Sequence, residues 1–67
     1  MNIDQIREDI LQVIGTYLKK NREDLYRNFE RKKAAGDMKA LYLWLYDNLK
    51  TDKEIQDALT EFYFFVR

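Results

Sequence analysis

The 67-residue chain predicts an all-α fold, a bundle of three or four short helices forming one domain over residues 1–67. Three observations carry this. Pro is absent and Gly occurs only twice, so little interrupts a helix. Apolar residues recur at three- and four-residue spacing along most of the chain. Residues suited to capping helices stand where that spacing breaks, at Asn2, Asp37 and Thr51.

The first helix is predicted over roughly residues 3–20. Ile3, Ile6, Ile10, Val13, Ile14 and Tyr17 share one face, with Leu11 and Leu18 on its flank. Asn2 is placed to cap it, and Gln5 three residues on completes a pair of the capping-box kind. Gly15 lies inside this helix, where it costs about 1 kcal/mol against Ala; it either permits a close helix crossing or has no role.

Residues 19–25 admit two readings. The polar run from Lys19 to Asp24 contains Asn21, which can end one helix or cap the next. Yet Leu25 and Phe29 keep helical phase with Leu11 and Leu18, so the first two helices can also fuse into one rod reaching Ala35. Such a rod would be about 50 Å long and would itself call for a dimer.

Ala34-Ala35-Gly36-Asp37 is the clearest punctuation. Gly36 suits a left-handed helix end and Asp37 the cap of the next helix, predicted from Met38 to about Lys50. Its core stripe is Met38, Leu41, Tyr42, Leu45 and Leu49. Thr51 and Glu54 form a capping box for the last helix, which runs from Asp52 almost to the C-terminus with Ile55, Ala58, Leu59, Phe62 and Val66 facing inward. That regular spacing outweighs a hairpin of Leu41–Tyr46 with Phe62–Val66.

Seven of the ten aromatic residues fall in the last 26 positions. Leu43, Trp44 and Phe64 lie off the core stripes, with Phe65 and Tyr63 on opposite flanks of the last helix. A bundle that packs a helix on two sides could absorb some of this surface. A protein interface is the favoured reading, because Trp, Tyr and Phe are enriched at interface cores and monomers rarely expose large apolar patches. The expected contact residues are Leu43, Trp44, Tyr46, Phe64 and Phe65, with Trp44 as anchor. A chain this short buries only about 60% of its unfolded surface. With no Cys to add a disulfide, self-association as a homodimer is the simplest supplement.

Twelve basic and twelve acidic residues cancel overall, but residues 19–39 hold eight Lys/Arg against four acids. Lys20, Arg27 and Arg31 can share a face, with Lys32 and Lys33 extending it at a helix C-terminus. Such a patch could contact phosphate and makes nucleic-acid binding the second reading. Interleaved acids and zero net charge favour a solvated helix instead. Lys50–Leu59 has the outline of the first helix of a helix-turn-helix, but the apolar Phe62–Phe65 that follows would read base edges poorly.

The chemistry for catalysis is thin. His, Cys and Ser are absent, and Thr16, Thr51 and Thr60 have no imidazole to activate them. Gly15 and Gly36 are isolated, so no phosphate loop is formed. Glu54, Asp57 and Glu61 make an acidic stripe, more often a solvated face than a metal site. No enzymatic activity, cofactor or small-molecule substrate is therefore expected. No stretch approaches about 18 apolar residues, and aromatic and basic residues are segregated along the chain, which ranks membrane-surface binding third. Met1-Asn2-Ile3-Asp4 lacks the basic start of a signal peptide, so a complete, cytoplasmic product is expected. The function predicted is that of a small regulatory protein of the inhibitor, adaptor or immunity type, phage- or plasmid-like in size. It would dock on a larger protein.

Overall fold

Residues 2–67 are described by a computed structural model. Four α-helices follow one another, α1 (Ile3–Asn21), α2 (Glu23–Ala35), α3 (Met38–Leu49) and α4 (Gln56–Val66), with a single 3₁₀ turn (Lys53–Ile55) leading into α4. Each packs on its chain neighbours and α4 closes back on α1, so the helices form a four-membered ring around one core. The Cα extents are 32 × 24 × 19 Å. At 1.5 Å per residue the 19 residues of α1 span about 28 Å, nearly the whole long dimension.

The caps explain most of the boundaries. The Asp4 amide donates to the Asn2 side chain at 2.9 Å, as expected. Gln5 does not return to Asn2. Its amide donates to Asp9 one turn further on, at 3.0 Å. Gly36 ends α2 at φ 85°, a left-handed conformation that costs Gly little. Asp37 then accepts from the Ala40 amide at 3.0 Å and starts α3.

Of the two readings of residues 19–25 the turn holds, and the Thr51 cap is corrected. α1 and α2 are not one rod. The chain breaks at Arg22, whose φ of −136° and ψ of 62° are not helical, and its amide closes α1 by donating to the Leu18 carbonyl at 2.8 Å. Leu25 and Phe29 therefore meet Leu11 and Leu18 by folding back on them instead of continuing their stripe. Nor does Thr51 cap the last helix. The 3₁₀ turn begins after Asp52 without a side-chain cap, because the Asp52 carboxylate is turned toward α1 and Arg22.

The core contains Ile10, Leu11, Ile14, Leu18, Phe29, Leu41, Leu45, Leu49, Ile55, Leu59 and Phe62. On α3 and α4 these are the expected stripes. On α1 the buried face is turned toward Leu11 and Leu18, while Ile3 and Val13 stay more than half exposed. Burying the Leu11/Leu18 flank is what the fold-back of α2 requires. Gly15 is where the two helices touch: a Cβ there would lie 3.1 Å from Cε2 of the fully buried Phe29. Gly15→Ala should regain about 1 kcal/mol of helix propensity but overpack a confined ring at about 1–3 kcal/mol. The net expectation is a loss of about 1 kcal/mol, read as a lower urea midpoint.

Candidate functional site

The α3–α4 side of the ring carries the aromatic surface. Short connections make α3 and α4 antiparallel neighbours, which brings Tyr42 near the start of one beside Tyr63 near the end of the other. Their ring centroids are 5.3 Å apart. Tyr42 also stacks on Tyr46 at 6.2 Å and meets the buried Phe62 edge-on at 6.2 Å. Tyr63 extends the row to Phe64 at 6.1 Å, and the Arg67 guanidinium lies 4.7 Å over the Phe64 ring. Burial among these rings, then the neighbouring Tyr46 and Tyr63 hydroxyls, push the Tyr42 hydroxyl above its ordinary pKa of 10.0. The row is thus anchored in the core at Tyr42 and Phe62 and opens to solvent at Tyr46 (50% exposed), Tyr63 (42%) and Phe64 (57%), with Leu43 (56%) beside it.

The five expected contact residues do not form one patch. Leu43, Tyr46 and Phe64 lie on this open side. Trp44 is half-buried on the opposite flank of α3, packed against the core under Lys32 of α2, whose Nζ stands 5.6 Å from the ring centroid. Phe65 is likewise half-buried against the core. Because α3 lies between α2 and α4, it can be apolar on both flanks without presenting either to a partner. Tyr63, which lies on the flank of α4 nearest α3, joins the exposed group. The Tyr42/Tyr46 spacing of one helical turn was the signal for that row.

The expected basic residues are divided between two helices. Once the chain turns at Arg22, Lys20 belongs to α1 and Arg27 and Arg31 to α2, so the continuous helical stripe that would have aligned them does not exist. Lys33 lies 5.6 Å over the Phe29 ring and 3.7 Å from Glu30, and Lys32 covers Trp44. These two cations shield aromatic rings. Among the described residues, Lys20, Arg27 and Arg31 form no ion pair.

Composition and spacing did not reveal the polar cluster at the opposite end of the helices. Arg22 Nη1 donates to both Asp52 carboxylate oxygens at 3.2 Å and reaches the Asn48 carbonyl at 3.5 Å. The Tyr17 hydroxyl donates to Asp52 Oδ2 at 2.8 Å. One acid therefore joins the α1–α2 corner to the α3–α4 corner. Gln56 finishes that corner by donating to the Leu49 and Asp52 carbonyls at 2.6 and 3.1 Å.

Two shallow grooves stand out among the described residues. One of about 260 Å³ lies between α1 and α4, floored by Ile6, Ile10, Val13 and Ala58 with Asp9 and Glu61 at its rim. The other, of about 310 Å³, lies between α1 and α2 and is lined mainly by polar and charged residues around Gly15 and Phe29. Among the described residues no three acids converge as metal ligands, and no helix is long and apolar enough to cross a membrane. No protein-family model, curated protein or solved structure matches the chain.

Proposed function

We propose that the protein is a non-enzymatic interaction module of the inhibitor, adaptor or immunity type. It acts by laying the α3–α4 face on a larger protein. The observation that supports this is the row from Tyr42 to Phe64. Its inner rings are locked by the core, while Leu43, Tyr46, Tyr63 and Phe64 stand in solvent on two rigid helices. Rings held this way lose little conformational freedom on binding, which is what an interface hot spot needs. The anchor is better assigned to Tyr46 and Phe64 than to Trp44, whose ring is already covered by Lys32. Nucleic acid is a poorer match, since Lys32 and Lys33 are engaged with rings and Lys20 lies on a different helix from Arg27 and Arg31.

The test is site-specific crosslinking in the native host extract. A photoreactive phenylalanine at position 64 should crosslink to a defined protein. The same group at Gln12, on the exposed side of α1, should not. Phe64→Glu and Leu43→Glu should each reduce capture of that protein at least tenfold while leaving the helical circular dichroism unchanged, because both sites are exposed. Equal capture by wild type and both variants would sink the proposal. Salt-sensitive retention of generic duplex by wild type would move the assignment to the basic residues.

A further inference from the structure

We infer that a second copy of this chain occupies the outer face of α3, the two helices running antiparallel about a two-fold axis at Leu43. The inference rests on the reading of the α3–α4 side as a protein-contact surface and names what covers it when no larger partner is present.

The outer face of α3 consists of Lys39, Ala40, Leu43, Tyr46 and Asp47, continued by the C-cap residue Lys50, all exposed; Lys50 pairs with Asp47 within the chain at 3.5 Å, in an exposed contact that leaves Asp47 open to a second cation. Leu43 sits at its middle, with the others three, four and seven residues away, the spacing of one helix face. In an antiparallel pair centred on Leu43, a residue a given number of positions before the centre faces the residue that many positions after it. Lys39 of one copy then meets Asp47 of the other, twice by symmetry. Ala40 leaves room for Tyr46 of the other copy, and Leu43 meets itself. Opposite charges and complementary sizes fall into register together.

Alternative arrangements lose this match. A parallel two-fold sets Lys39 on Lys39 and Asp47 on Asp47. Shifting the antiparallel register to put residue 39 opposite residue 50 sets Lys on Lys. Like charges at these positions repel and so select against both.

The flank completes the area. A standard interface takes about 800 Å² per partner, roughly a sixth of the 4907 Å² surface of this chain and more than one helix stripe offers. A two-fold axis crossing α3 keeps the α4 helices of both copies on the same flank. The Tyr42–Tyr63 ring contact places residue 63 level with residue 42, beside the axis. Tyr63 and Phe64 of the two copies therefore approach each other and extend the contact. Self-association and docking compete for one surface, so the fraction of chain free to dock falls as its concentration rises.

The experiment is solution mass by sedimentation equilibrium over a concentration series, using the full chain, Lys39→Asp, Asp47→Lys, and their equimolar mixture. Wild type should pass from monomer to dimer. Each single reversal turns two attractive pairs into two repulsive ones and should weaken the dimer about tenfold or more. The mixture should recover it, because a Lys39→Asp chain and an Asp47→Lys chain present opposite charges to each other at both sites. Circular dichroism confirms that each variant is folded. Wild type that stays monomeric throughout, or a mixture no tighter than its components, overturns the inference. If that monomer still crosslinks a foreign protein from position 64, the docking proposal survives alone. A charge-dependent dimer with no foreign crosslink supports the inference and removes the larger partner.

Discussion

Phe29→Ala is expected to leave the chain largely unfolded at room temperature. Phe29 is the one fully buried residue of α2, which otherwise offers the half-buried Leu25 and Tyr26 to the core. A Cβ at Gly15 would lie 3.1 Å from its ring, so α1 and α2 meet directly at this residue. Truncating a buried Phe costs about 3–5 kcal/mol. A domain of this size has about 3–10 kcal/mol of stability in all. The loss is comparable with the total, and no disulfide limits the unfolded state, since the chain has no Cys. Urea titration followed by helical circular dichroism should show a midpoint near zero denaturant. A midpoint shift worth less than about 2 kcal/mol would mean that α2 holds its place by other means. Leu43→Ala is the matched control: more than half exposed, it should stay within about 0.5 kcal/mol of wild type.

The contrast between Phe29 and Leu43 shows what kind of information lies in the chain. The stripes of α3 and α4 were legible because the two helices follow unambiguous breaks at Gly36-Asp37 and Leu49–Asp52, so phase alone assigns Leu41, Leu45, Leu49, Ile55, Leu59 and Phe62 to the interior. The break at Arg22 was legible only as one of two readings of residues 19–25. Nothing at Asn21-Arg22-Glu23 requires a positive φ, and Arg22 leaves the helix at φ −136° and ψ 62°. What stabilises the turn is tertiary: Arg22 reaches Asp52 thirty positions away. Only the continuous reading would place Lys20, Arg27 and Arg31 on one helical stripe, which the fold does not contain.

The place of Trp44 depends on the assembled helices in the same way. Helical phase shows that Trp44 lies off the core stripe, but not whether a neighbouring helix stands there. Here α2 does, with Lys32 over the ring, whereas nothing stands outside Leu43. The exposed row of Tyr46, Tyr63 and Phe64 depends on pairing α3 with α4, again a property of the assembled ring of helices and not of either helix alone.

Asp52→Ala should lower stability by about 1–2 kcal/mol, a large effect for a partly exposed acid. Its carboxylate ties both hairpin corners together, accepting from Tyr17 on α1 and from Arg22 between α1 and α2. Removing it strands a hydroxyl and a guanidinium that solvent can only partly satisfy. The effect should depend on pH in a way that identifies its cause. The Tyr17 hydrogen bond, and then Arg22, hold the Asp52 carboxyl below its ordinary value of 3.8 against the opposing pull of burial. A depressed folded-state pKa means stability that is fully present above the unfolded value and lost as pH falls through the folded one. The same bond raises the Tyr17 hydroxyl above 10.0, so its contribution is fully present below pH 10 and lost as pH rises through the folded value. The stability gap between wild type and Asp52→Ala should therefore be flat from about pH 5 to pH 9 and narrow on both sides, below about pH 4 and above about pH 10. The absence of His keeps that plateau free of imidazole titration. Urea midpoints of the two proteins at pH 3, 7 and 10.5 measure it. A gap that stays constant into acid would assign the loss to packing at the corner. A gap that closes assigns it to the charged carboxylate, which fixes the α3–α4 hairpin, and with it the aromatic face, against the rest of the bundle.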